Sequence, residues 1–148
     1  MTRQAHAARR AQPGTQRRRT PTVLQMEAAE RGDAALAMVL GYYGRFVPLE
    51  ELRLACGVSR DGVSASNLVA VAQSYGLEAQ ALASDIAGLA GRALPLIVFW
   101  NGGHCVVLEG WGKDRAYLND PATGPRSVSR AEFAQGFGGV AVVCEPGP

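Results

Sequence analysis

The chain lacks any apolar run that could cross a bilayer. Its longest uncharged apolar stretches, Ala34–Tyr43 and Leu94–Trp100, fall far short of the roughly 20 residues that a span needs, so the chain does not read as a membrane protein itself. Cysteine is scarce: Cys56, Cys105 and Cys144 are too few and too scattered for a disulfide scaffold, and none stands in a CxxC pair. No secretory apolar region opens the N-terminus, which points to a reducing, cytoplasmic setting. There is no internal repeat. There is no Walker motif either, and so no P-loop for ATP. The first 20 residues contain no acid.

What is there suits one globular domain: 148 residues, 47% hydrophobic and 19% charged. The net charge of +2 hides an asymmetry. Arg3, Arg9, Arg10, Arg17, Arg18 and Arg19 crowd residues 1–20, leaving nine bases against thirteen acids in the rest, a net of −4. An arginine-rich arm can bind phosphates or an anionic membrane face. With Ala, Gln, Pro, Gly and Thr between the arginines, and no aromatic for base stacking, residues 1–20 read as a disordered, solubilising arm and not as a nucleic-acid binder. The ordered domain, 21–148, is expected to start near Pro21.

Periodicity divides that domain into two halves. The run AALAMVLGYY predicts a buried helix near 33–43, stopped by Gly44. Pro48 opens a second helix to Cys56, with Gly57 as its stop. Ser64 is the N-cap candidate of a third helix, near 64–75, carrying Leu68, Val71, Ala72 and Tyr75 on one face. The period then changes to short β-branched or aromatic segments near 94–100, 104–111, 115–119 and 139–144. Between the last two, Ser129-Arg130-Ala131-Glu132 is a capping-box pattern for one short helix. Helices first and mostly antiparallel strands afterwards make an α+β fold.

Three polar islands carry possible chemistry: Gln25 through Asp33, Asn101-Gly102-Gly103-His104, and Asn119-Asp120-Pro121. A hairpin of the segments bearing the last two would put His104 and Asp120 near one sheet edge, where a carboxylate can hold an imidazole in one tautomer. On its own that pair is as consistent with an ordinary strand histidine as with catalysis, and it needs a nucleophile.

The stretches VLQMEAAERGDAALAMVLGYYGRFVPLEELRLACGVSRDGVSASNLVAVAQSYGL, WNGGHCVVLEGW and YLNDPATGPRSVSRAEF together resemble the bacteriocin-processing cysteine peptidase domain. Such domains stand at the N-terminus of peptide-exporting ABC transporters and cut double-glycine leaders. The likeness runs over about residues 20–148 and is greatest to the branch exporting peptides with nitrile-hydratase-like leaders. The resemblance implies a papain-like fold, with a helical half carrying the nucleophile and an antiparallel sheet carrying His and Asp. It implies no cofactor and no metal. It places the domain in the cytoplasm, at the inner face of the membrane as part of a transporter, with a double-glycine precursor peptide and the exporter's membrane and ATPase domains as partners.

By the same resemblance Gln25 belongs to the oxyanion hole, His104 is the general base and acid, and Asp120 orients it. Asn101, Gly102 and Gly103 form the substrate-binding turn, and Val69, Tyr75 and Leu77 are candidates for the wall of a leader groove, although each also reads as core. The family's nucleophile is a cysteine between an acidic residue and a glycine at the start of the first long helix. Here that triplet reads Glu30-Arg31-Gly32, with Arg31 in the cysteine's place. A thiolate gains from the helix dipole and a nearby imidazolium. A guanidinium has no nucleophilic form and at an exposed helix N-terminus opposes the dipole by about 0.3–1 kcal/mol. Cys56, Cys105 and Cys144 all read as packing residues, and Ser64 and Ser66 lie beyond the helix. Three readings stay open: a domain that binds leaders without cutting them, an inactive docking or relic domain of an exporter, and an active leader peptidase with an unusual residue at 31.

Overall fold

The computed structural model describes residues 17–25, 31–57, 64–101 and 104–147, with Arg31 described in its backbone only. Three helices come first: α1 (Arg31–Tyr42), α2 (Leu49–Cys56) and α3 (Ala65–Ser74). There follow β1 (Leu77–Ala83), α4 (Ile86–Ala90), β2 (Leu96–Trp100), β3 (His104–Trp111), β4 (Arg115–Asp120), β5 (Gly124–Ser129), α5 (Arg130–Gly136) and β6 (Phe137–Pro146). The six strands form one sheet in the order β1-β6-β2-β3-β4-β5, and every neighbouring pair is antiparallel.

The three expected helices and four expected strands are present, with ends within two residues of the spans read from the pattern. β2 begins at Leu96, after Pro95, which has no N–H to give to a ladder. Three elements were not anticipated. β1, with sequence LEAQALA, is rich in helix formers. β5, GPRSVS, is a polar edge strand that buries little of itself. α4 is a single five-residue turn of helix capped by Asp85, whose carboxylate accepts the Gly88 N–H.

The sheet is covered on both faces, and period-two alternation decides which side chain goes where. Ile97, Cys105, Val107, Val142 and Cys144 face α1, α2 and α3. Leu96, Val98, Val106, Leu108, Leu118, Ala141 and Val143 form the opposite core with Leu89 of α4 and Phe133 of α5. α1 packs on β2 and β3 and touches both other helices, so Ala34 to Leu40 are all buried. α3 starts at Ser64, whose hydroxyl accepts the Asn67 N–H. α5 starts with the full capping box, Ser129 and Glu132 each accepting the other's backbone N–H at 3.1 Å. Among the described residues no helix is long and apolar enough to cross a membrane.

Residues 17–20 correct the expected boundary of the arginine-rich arm. They lie along β3: Arg17 bridges Gly110, and the Arg18 N–H donates to the Glu109 carbonyl at 2.6 Å. A buried carboxylate at Glu109 gives this stretch a charged partner, which the local sequence does not advertise. The rest of the arm, 1–16, lies outside the described residues.

Candidate active site

His104 is the first residue of β3 and Asp120 the last of β4, so the antiparallel pairing brings both to one end of the sheet. His104 Nε2 and Asp120 Oδ1 stand 2.8 Å apart, with the two side chains 17% and 5% exposed. A carboxylate can only accept, so Nε2 carries the proton and the Nδ1 lone pair is the basic site of the ring.

Asp120 is itself held from three sides. Oδ1 also accepts the Ala122 N–H at 2.8 Å, and Oδ2 faces the Arg126 Nε of β5 at 3.5 Å. Burial pushes the Asp120 carboxyl up. The His104 hydrogen bond, the Ala122 N–H and the charges of His104 and Arg126 outweigh it, and hold the group below its ordinary value. Arg126 is the guanidinium beside Asp120 among the described residues, and sequence reasoning does not single it out. Its signal is faint: an arginine two residues past the Gly124 turn, on a strand that pairs back onto Asp120.

Gln25 reaches the same end of the sheet by its backbone, donating its N–H to the carbonyl of Pro121 at 2.9 Å. Its side-chain oxygen is buried and has no hydrogen-bond partner among the described residues. Arg31 opens α1, the helix packed on β2 and β3. Its side chain, Glu30, Gly102 and Gly103 lie outside the described residues, as does any pairing of Arg31 with Glu30. Asp33, in the first turn of α1, is buried beside Cys56.

The remaining candidates separate. Asn101 donates its side-chain amide to the Gln135 carbonyl at 2.6 Å, which ties the turn to α5. Val69 and Tyr75 are half-buried against the helical core, and the Tyr75 hydroxyl is bonded to the Glu51 carboxylate across α2 and α3. Leu77 is a correction. At 3% exposure it belongs to the core, because β1 turns its first side chain under α3.

All three cysteines are buried and none is in a disulfide. Burial pushes the Cys144 thiol up to about 12. Burial, the Asp33 charge and a hydrogen bond with Asp33 push Cys56 up to about 12. Cys105 points away from His104 into the helical core, as alternation requires. Among the described residues no group of three His, Cys, Asp or Glu side chains converges on a metal site.

Residues 19–148 match the Peptidase C39 family. A colicin V secretion/processing ATP-binding protein of Escherichia coli is 36% identical over 130 residues, 88% of this chain and 19% of that protein. A transport/processing ATP-binding protein of Streptococcus pneumoniae is 33% identical over 132 residues, 84% of this chain and 18% of that protein. The chain thus spans about a fifth of the length of these relatives. Among solved structures, a double glycine motif protease from an AMS/PCAT transporter, in complex with the leader peptide, superposes with a TM-score of 0.86 at 44% identity, covering 89% of this chain and 95% of that one. The peptidase domain of Streptococcus ComA, a bi-functional ABC transporter, gives 0.78 at 25% identity, covering 84% and 96%. The mixed helical and antiparallel architecture is the papain-like fold of these domains. With a family match over residues 19–148 and identities above 30% across most of its length, the chain belongs to the Peptidase C39 family.

Proposed function

We propose that this domain serves a peptide-exporting ABC transporter at the inner face of the membrane, that it takes up the double-glycine leader of a precursor peptide, and that it does not cut it. The observation that carries the reading is the arginine at the first position of α1, where the resemblance puts the nucleophilic cysteine. In support, no other thiol is placed to act as the nucleophile. Cys56 and Cys144 are buried and protonated at neutral pH, and Cys105 faces the core. Loss of the nucleophile from a unit of this kind costs on the order of 10⁶ in turnover. Binding of a leader helix needs apolar anchors and no thiolate. The 44%-identical protease in complex with a leader peptide supports a peptide partner.

In the roles that the resemblance assigns, His104 is the base and acid, Asp120 its orienting partner, and Gln25 a donor to the carbonyl of the scissile bond. Position 31 is then the one group lacking for acyl transfer.

The test measures binding and cleavage separately, with a panel of double-glycine precursor peptides. Binding without product is expected for the native chain, and cleavage by it overturns the reading. Arg31→Ala should bind leader as well or better. Arg31→Cys should gain a thiol that is alkylated far faster than the other three, together with thiol-dependent cleavage. A folded Arg31→Cys protein that binds leader and never cuts it shows that more than position 31 has been lost. A native chain that binds no leader favours a docking role instead.

A further inference from the structure

We propose that Glu109 is a positioning residue: it fastens residues 17–25 as a strap along the sheet, and so sets where Gln25 stands beside the His104–Asp120 pair. The proposal starts from a carboxylate in an unusual place. Glu109 lies near the end of β3 and is 2% exposed, and a buried carboxylate is costly unless it is paired and hydrogen-bonded. Its main partners come from far away in the sequence. Oε2 accepts both the backbone N–H and the hydroxyl of Thr20 at 2.7 Å each, and Oε1 faces the Arg17 guanidinium at 3.3 Å. That guanidinium also lies over the Tyr117 ring, 4.6 Å from its centroid.

The strap then continues toward the cleft through Asn119, the neighbour of Asp120. The Asn119 side-chain amide donates to the hydroxyls of Thr20 at 3.1 Å and Thr22 at 3.2 Å, and its nitrogen lies 3.5 Å from Glu109 Oε2. Pro21 seats in a notch at Gly41 of α1, where a Cβ would come within 2.6 Å of the proline ring. The strap closes at Gln25, whose N–H is bonded to Pro121. A segment held at Arg17, Thr20, Pro21 and Gln25 has little conformational freedom left. Its last residue is therefore delivered to the end of the sheet where His104 and Asp120 meet. Removing the charge of Glu109 loosens the strap at its root, and the loosening should travel five residues to a group that Glu109 does not touch.

The experiment is amide hydrogen exchange on the full chain, native against Glu109→Gln, read at Thr20, at Gln25 and in the middle of α1. The Thr20 amide reports the local bond. The Gln25 amide reports positioning, because it is bonded to Pro121 and not to Glu109. We expect both to exchange at least roughly tenfold faster in the variant, with the buried α1 amides unchanged. Faster exchange at Thr20 with none at Gln25 overturns the proposal, because Glu109 would then be a local anchor, and so does no change at either. If Glu109→Gln does not fold, Thr20→Val, which removes the hydroxyl bonds to Glu109 and Asn119 and leaves the Thr20 N–H bonded to Glu109, is read in the same way. The role of Gln25 toward a peptide rests on the proposed function, but the exchange measurement needs no peptide. A chain that binds no leader fails that function, and an unmoved Gln25 amide fails the strap.

Discussion

At the scale of single residues, the site is a chain of constraints in which each group is held by the next. His104 is held by Asp120, and Asp120 by the Ala122 N–H and Arg126. Because the folded Asp120 carboxyl sits below its ordinary value of 3.8, its ionised form stabilises the fold fully above that value. The stabilisation drains away as pH falls through the lower, folded value. The expected outcome is a urea midpoint that declines below about pH 4 in the native protein and declines less in Asp120→Asn. Glu132, held down by the Ser129 N–H and hydroxyl, adds a dependence of the same sign that this variant leaves in place. A variant with the native slope would show that the pair contributes nothing to acid sensitivity. His104 and Asp120 were legible because a hairpin between two polar turns can only bring such residues to one edge. Arg126 and Glu109 were not: one depends on a strand whose polar sequence hides it, the other on partners 89 and 92 positions away.

At the scale of elements, local signals spoke most clearly where a side chain acts on its own backbone. Ser64 and Ser129 cap helices by bonds three residues long, and both could be read directly. β1 could not, since its alanines prefer helix and only pairing with β6 makes it a strand. α5 shows a second non-local demand. Its last residue, Gly136, lies flat on the Trp100 indole, so that a Cβ there would stand 1.9 Å from the Trp100 ring. The indole cannot retreat freely, because it packs edge-on against the buried Phe133 at 5.4 Å. Gly136→Ala is therefore expected to destabilise by about 1–3 kcal/mol, although alanine is the better helix former. Thermal unfolding measures this, and a raised Tm would show that the ring gives way easily.

At the scale of the whole molecule, one sheet serves two cores, and the buried thiols report on one of them. Cys105 and Cys144 project from the sheet into the core under α1, α2 and α3, and Cys56 joins them from α2. With Cys56 and Cys144 pushed up to about 12 by burial, alkylation at neutral pH should wait for that core to open. Iodoacetamide labelling of these two thiols in increasing urea is expected to follow the unfolding transition seen by circular dichroism. Labelling well before the transition would mean that the helical layer detaches from the sheet first. The fold class was legible at this scale because the change of period falls between the helices and the strands, at the border of the two layers. Which face each helix covers had to come from the topology.

Among the described residues, the bonds that hold His104 and Asp120 come from β3, β4, the turn at Ala122 and Arg126, and none of these bonds runs to α1. The described bonds of the pair thus take no donor or acceptor from that helix. Cysteine and arginine codons can differ by a single base. On the proposed reading of position 31, one mutational step separates the two residues, in either direction.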